Sequence, residues 1–217
     1  MARLRTAILI SGRGSNMQAL IEACRAPSAA AEIVLVLSNN PDAGGLGYAA
    51  KAGVPTAVVD HRVYKDRAAF DAELDRHLHA AGAAFVCLAG FMRLLTPGFI
   101  ERWRDRMINI HPSLLPAFPG LDTHARALTA GVRFHGCTVH FVRFETDTGP
   151  IIAQAVLSVR PDDTPDSLAA RVLVQEHRIY PQALAWIASG RVRIDGERTI
   201  VDGAVVPPGA LINPRPA

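Results

Sequence analysis

Cysteine is scarce: Cys24, Cys87 and Cys137 are the only three in 217 residues. Their number is odd, no Cys-x-x-Cys occurs, and no His-x-x-x-His is found among the eight histidines. A disulfide framework and the common zinc patterns are thereby excluded. Cys87 and Cys137 fall in apolar, strand-like runs, as buried thiols of a reducing compartment do. Long hydrophobic runs are missing as well. The longest uncharged stretch, near Ala80–Met92, is too short to cross a bilayer. Ala7–Ile10, which follows Arg3 and Arg5, is too short for a signal peptide. Neither sign of charge dominates, since 23 basic and 20 acidic residues leave a net +3. The basic residues are dispersed along helical stretches such as Arg67 to Arg76, which reads as a solvated face and not as a nucleic-acid surface. Repeats and low-complexity linkers are absent too. These exclusions leave a cytoplasmic protein with one well-buried domain, no membrane anchor and no nucleic-acid partner.

What the sequence does contain is alternation. Apolar strand candidates lie at Thr6–Ile10, Ile33–Leu37, Thr56–Val59, Ala84–Ala89, Met107–Ile110, His135–Val142 and Ile151–Val159. Helical patterns at Ser15–Arg25, Gly44–Ala52, Asp66–Ala80 and Pro97–Arg104 separate the early ones. This order predicts an α/β fold: a single-domain, doubly wound, mostly parallel sheet. The last two strands have no helix between them and are expected to add on antiparallel. A long helix follows from about Pro165 to Ser189, capped by Asp163 or Thr164. After Gly190, the runs Arg191–Ile194, Thr199–Val201 and Val205-Val206, broken by Asp195-Gly196 and Asp202-Gly203, predict a small β-meander with a mobile Pro-rich end.

Residues 109–116, Asn-Ile-His-Pro-Ser-Leu-Leu-Pro, carry the strongest chemical signal. Asn109 and His111 fall at the C-terminal end of a strand, the edge where open α/β sheets bind ligands. Two residues apart on an extended chain, they point the same way. An amide donor beside a titratable imidazole suits attack on a carbonyl: one group holds the developing oxyanion, the other moves protons. Asn-x-His taken alone is equally a strand-end histidine before a Pro-Ser turn. Ser11-Gly12-Arg13-Gly14-Ser15-Asn16 joins the first strand to the first helix, where free N–H groups suit a phosphate. Met17 breaks Gly-x-Gly-x-x-Gly, and the second strand ends in Ser38-Asn39-Asn40 without an acid. A phosphate monoester therefore fits better than a dinucleotide, with a bare helix-capping turn as the alternative. Asp147, in the segment Arg143–Pro150, reads by itself as part of a surface turn. If the later strands fold back, it reaches the edge that holds His111 and favours the imidazolium. His135, His140 and His177 read as structural.

Taken together, eight segments in register resemble a known family. They are the Ser-Gly-x-Gly-Ser-Asn loop; Leu88-Ala89-Gly90-Phe91-Met92-Arg93; Asn109–Pro116; Pro119-Gly120-Leu121; Thr123-His124; His135-Gly136; Asp147 with Gly149-Pro150; and Gln175-Glu176-His177 with Tyr180-Pro181. From about residue 5 to 194 the chain resembles the phosphoribosylglycinamide formyltransferases, the folate-dependent enzymes of purine synthesis. The resemblance implies a formyltransferase domain over residues 1–194 and a C-terminal extension over 195–217. It implies transfer of the formyl group of 10-formyltetrahydrofolate, as co-substrate, to the amine of glycinamide ribonucleotide, with no metal, by a monomer or homodimer. The catalytic group would be Asn109, His111 and Asp147. Gly14, Ser15 and Asn16 would hold the phosphate, and Glu176 the ribose. Arg67, Met92, Arg93, Leu94, Leu95, Asn109 and the stretch Arg143, Phe144, Glu145, Thr146, Asp147 would line the folate site. A cis Leu115–Pro116 bond is implied as well. Arg13, Asp122 and Leu173 depart from the usual residues, which puts a phosphate contact at 173 in doubt and leaves one at Arg13 open. A formyltetrahydrofolate deformylase and a methionyl-tRNA formyltransferase share the octapeptide. The first carries an added N-terminal domain, for which this chain has no room upstream, and the second a C-terminal tRNA-binding domain, where only about 23 residues follow here. A deformylase-like hydrolase or a non-catalytic phosphate-binding module are the alternative functions.

Overall fold

Alternation along the first strand decides the architecture. Ala7 and Leu9 face one apolar cluster while Ile8 and Ile10 face another, so β1 (Leu4–Ile10) is buried on both sides and needs helices on each. The computed structural model describes residues 2–205 and 208–214. In it β1 lies in the interior of a seven-stranded sheet with β2 (Ala31–Ser38), β3 (Thr56–Val58), β4 (Phe85–Leu88), β5 (Met107–His111), β6 (Phe134–Phe141) and β7 (Ile151–Ser158), in the order β3-β2-β1-β4-β5-β6-β7. β1 to β5 run parallel; β6 and β7 are antiparallel additions, as the missing connecting helix predicts.

One face of the sheet is covered by α1 (Ser15–Cys24), through Met17, Leu20 and Ile21, and by α6 (Pro165–Ala188), through Leu168, Val172 and Leu184. The other is covered by α3 (Arg67–Ala80), through Phe70, Leu74 and Leu78, and by α4 (Pro97–Arg102), through Phe99 and Ile100. α2 (Gly44–Lys51) packs beside α1. Because β1 has β2 on one side and β4 on the other, the winding reverses there. The C-terminal ends of β1, β4 and β5 therefore open into a common crevice, the expected ligand position. Tyr180 on α6 locks those two later strands from below. Its hydroxyl lies 2.9 Å from the Leu88 carbonyl and 3.2 Å from that of Ile108, sharing one proton between them.

Element ends follow side-chain chemistry. Thr164 caps α6 through a reciprocal pair of bonds with Ser167, while Asp163 accepts from the Ser167 hydroxyl instead. Two elements escaped the sequence reading: a 3-10 turn at His61–Val63, capped by Asp60, and α5 (Thr123–Thr129), which follows Asp122 in the left-handed region. Both are too short to show a hydrophobic period. The expected β-meander is corrected. Among the described residues, β8 (Val192–Asp195) and β9 (Arg198–Val201) form a two-stranded hairpin, and Val205 is exposed outside any strand. Val206 and the last residues of the expected mobile end, 215–217, lie outside the described residues.

Candidate active site

β5 delivers Asn109 and His111 to the crevice with the same orientation, and antiparallel pairing with β6 sets His140 directly opposite Asn109. The His140 ring is buried, with Nδ1 3.0 Å from the Phe141 carbonyl and 3.1 Å from that of Thr148. Nδ1 therefore carries the proton and Nε2 keeps its lone pair, which accepts from the Asn109 side-chain amide at 3.3 Å. Burial holds the His140 pKa below the ordinary value, so the ring stays neutral and the tautomer is fixed. His140, read as structural from sequence, thus orients the Asn109 amide. The alternation of apolar and polar residues in β6 hid it, because its partner is set by register across strands.

His111 is 5% exposed. Its Nδ1 lies 3.3 Å from Asp147 Oδ1, and its Nε2 lies 3.0 Å from the Phe118 carbonyl. Both neighbours only accept, so both ring nitrogens need protons and the ring is an imidazolium. Burial opposes that charge. The hydrogen bond to Asp147, then the Phe118 carbonyl, outweigh it, and the His111 pKa is raised. Asp147 responds in the matching direction: burial pushes its carboxyl up, but the bonds from His111 and from the Gly120 N–H, at 2.7 Å, hold it below the usual range. Asp147 is in the left-handed region at φ 56°, a conformation that aspartate tolerates better than most residues.

The loop after His111 is shaped by its own side chains. Ser113, fully buried, donates to the Ala117 carbonyl; Thr138 donates to the Ser113 carbonyl and accepts from Leu115 N–H; Gln154 donates to the Leu115 carbonyl. The Leu115–Pro116 peptide is cis, as expected. This network places the Phe118 carbonyl and Gly120 N–H around the His111–Asp147 pair. Beneath the loop, His135 Nε2 lies 3.2 Å from His124 Nδ1, and burial pushes both pKa values down, that of His135 to about 4. A depressed folded-state pKa stabilises the fold above the unfolded value of about 6.5 and loses that contribution as pH falls towards 4. The thermal midpoint is therefore expected to drop between pH 6.5 and 4, and His135→Gln to flatten that drop. Parallel midpoint-against-pH curves for the two proteins would contradict it.

On the opposite wall, Gly14 takes φ 74° as the residue before α1, which opens the first-turn N–H groups of Ser15 and Asn16 to the crevice. Asn16 donates to Glu176 of α6 at 2.6 Å, and burial raises the Glu176 pKa despite that bond. Arg13 is exposed at the loop, and Leu173 is half-buried on α6. Around the mouth, Met92, Leu94, Leu121 and Phe144 are 57–72% exposed, more apolar surface than water alone favours. Arg67 and Arg93 flank a cleft of about 210 Å³ with Tyr64, Lys65 and Leu94. Leu95 is buried beneath this segment, and the Arg143 guanidinium turns to Asp105 and Glu197. Glu145 and Thr146 are exposed at the tip of the loop. Among the described residues no group of three or more His, Cys, Asp or Glu is placed to hold a metal, and no helix is long and apolar enough to cross a membrane.

A model of the formyl transferase family matches residues 4–184. The phosphoribosylglycinamide formyltransferase of Escherichia coli K12 is 44% identical over 201 residues, which cover 93% of this chain and 95% of that one. The trifunctional purine biosynthetic protein adenosine-3 of Bos taurus is 50% identical over 192 residues, 88% of this chain, so the chain spans 19% of that longer protein. The crystal structure of glycinamide ribonucleotide transformylase 1 from Symbiobacterium toebii superposes with a TM-score of 0.89 at 46% identity, covering 92% of this chain and 94% of that one.

Proposed function

Because the chain belongs to the formyl transferase family, we propose that it transfers the formyl group of 10-formyltetrahydrofolate to the amine of 5'-phosphoribosylglycinamide, in the cytoplasm and as a step of purine biosynthesis. The observation that carries this reading is the doubly bonded His111 imidazolium beside the oriented Asn109 amide, at the crevice where β1, β4 and β5 end. Such a pair is made for a carbonyl oxygen that gains negative charge.

The first-turn N–H groups of Ser15 and Asn16, with Gly14, take the phosphate, where the helix end favours an anion. Glu176, fixed by Asn16 and facing the same wall, accepts from the ribose hydroxyls. This binds the ribonucleotide with its amine towards His111. The apolar Met92, Leu94 and Phe144 fit a flat conjugated ring, and Arg67 with Arg93 fit the anionic tail that follows it. Leu95 supports this wall from beneath, and the segment from Arg143 to Asp147 closes it from the other side. The primary amine then attacks the formyl carbon. A C–N bond forms, the carbonyl pair moves to oxygen, and the oxyanion is met by Asn109 and by His111, whose Nε2–H leaves the Phe118 carbonyl to reach it. A proton passes from the new ammonium to the folate nitrogen, the old C–N bond breaks, and tetrahydrofolate leaves. The formyl group is already activated on the folate, so neither a metal nor a covalent enzyme intermediate enters this reaction. Catalysis is assigned to residues 1–194, with 195–217 as an appended segment.

Purified protein incubated with 10-formyltetrahydrofolate, with and without glycinamide ribonucleotide, tests the reading. Release of tetrahydrofolate that needs the ribonucleotide and yields its N-formyl product is expected. Release without it would make the protein a deformylase. Inertness would leave a phosphate-binding module, and activity only with charged initiator tRNA would make it a tRNA enzyme.

A further inference from the structure

The loop that carries Asp147 and the C-terminal hairpin meet at one side chain that stands outside the chemistry. Arg143 opens the β6–β7 loop, and its side chain is 10% exposed. Nη2 lies 2.8 Å from Asp105 Oδ1, Nε lies 3.5 Å from Glu197 Oε2, and Nη1 donates to the Val142 carbonyl at 3.3 Å. The Nε contact is an ion pair without hydrogen-bond geometry, and Nε has no other acceptor among the described residues.

The stem of the same arginine crosses the far end of the loop. A Cβ on Gly149, at φ 117°, would lie 2.9 Å from Arg143 Cγ and 2.1 Å from the Phe141 carbonyl oxygen. Only glycine lets the two ends of the loop approach so closely. Between them the loop is tied by Thr148 to the Glu145 carbonyl, by His140 to the Thr148 carbonyl, and by Asp147 itself to Gly120 and His111.

The two acids come from separate parts of the fold. Asp105 immediately precedes the approach to β5, the strand that ends in Asn109 and His111. Glu197 sits at the turn between β8 and β9, beyond the family match at residues 4–184. The hairpin is itself fixed to the sheet edge, where the Thr199 hydroxyl donates to the Ile151 carbonyl at the start of β7. A guanidinium is a planar fork that can serve two carboxylates at once, and a buried charge keeps such partners.

We propose that Arg143, Asp105 and Glu197 form a brace that sets the Asp147 loop over His111, which makes the C-terminal hairpin a positioning element of the site. The proposal rests on the catalytic assignment of Asp147 and His111 given above. Glu197 and Asp105 act through Arg143 and touch neither substrate.

The test uses Glu197→Gln, Asp105→Asn and the double variant of the full chain. With both acids neutral, the KM for folate is expected to rise about two- to fivefold, the range for ion pairs with exposed acids, while the KM for the ribonucleotide stays. In the ligand-free protein, the NMR titration of His111 is expected to shift downward as Asp147 spends less time against it. The charged and titratable groups that bear on His111 are Asp147, Glu176, His124, His135 and His140, and neither mutated acid is among them. A downward shift therefore reports loop position. An unchanged His111 titration together with an unchanged folate KM would overturn the brace, whether or not thermal stability falls. Failure of the functional reading looks different: the unmutated protein would form no formyl ribonucleotide, and the titration would still report on the brace.

Discussion

His111→Ala is expected to lower turnover by ~10²-fold or more while the ribonucleotide still binds. The magnitude follows from what the side chain supplies. In this structure it is an imidazolium held by Asp147 and the Phe118 carbonyl, a positive charge at the crevice whose Nε2–H turns from that carbonyl to the oxygen that becomes negative. An alanine leaves water in that place, and water must reorganise as the charge develops. The proposed phosphate contacts lie at Gly14–Asn16, at the start of α1 and not on β5, so ribonucleotide affinity is expected to survive. Steady-state kinetics combined with calorimetric titration of the ribonucleotide separates the two effects. Near-normal turnover in the variant would remove His111 from the chemistry, and joint loss of turnover and binding would make it a structural residue.

Asn109→Ala is expected to cost ~10²–10³-fold in turnover, the usual loss for one oxyanion donor. It also deprives the buried His140 Nε2 of its donor, a loss of ~1–3 kcal/mol for a buried polar group, so the thermal midpoint falls too. The catalytic share is identified by a drop in kcat and kcat/KM alike with substrate KM values nearly unchanged, the pattern of a contact made only in the transition state. His140→Ala supplies the comparison. If the two substitutions destabilised the fold equally and turnover fell in neither, Asn109 would be no more than the partner of a core histidine.

How much of this was legible before the structure depends on distance along the chain. The doubly wound sheet was readable because each βα unit is local: Thr6–Ile10 is an apolar run, the glycine-bearing Ser11–Asn16 ends it, and Met17, Leu20 and Ile21 repeat at helical spacing. Asn109 and His111 were readable because two residues on one strand share a face by geometry. Asp147 was readable only as a conditional, since 36 residues separate it from His111 and the return of β6 and β7 had to be assumed. The contact of His140 with Asn109 was not legible for a related reason: it exists only through cross-strand register. The direction of the Arg143 guanidinium was not legible, because it is decided by Asp105 and by Glu197, which lie in segments far from it in sequence. α5 was invisible because seven residues carry too little periodicity to outweigh Pro119-Gly120 just before it.

The proposed chemistry needs a charged His111 that owes its charge to Asp147. Its folded pKa is raised above the unperturbed value of about 6.5. The associated stability is therefore present below that value and fades as pH rises through the folded pKa. Asp147→Asn keeps the shape and removes the charge. NMR titration of His111 in both proteins, without and with folate, is the direct measurement; because the pair is coupled, the direction of the shift is the observable. His111 is expected to titrate above about 6.5 in the unmutated protein and lower in Asp147→Asn, with the alkaline limb of turnover moving down with it. A His111 that titrates at or below the unperturbed value, indifferent to Asp147→Asn in both states, would contradict it.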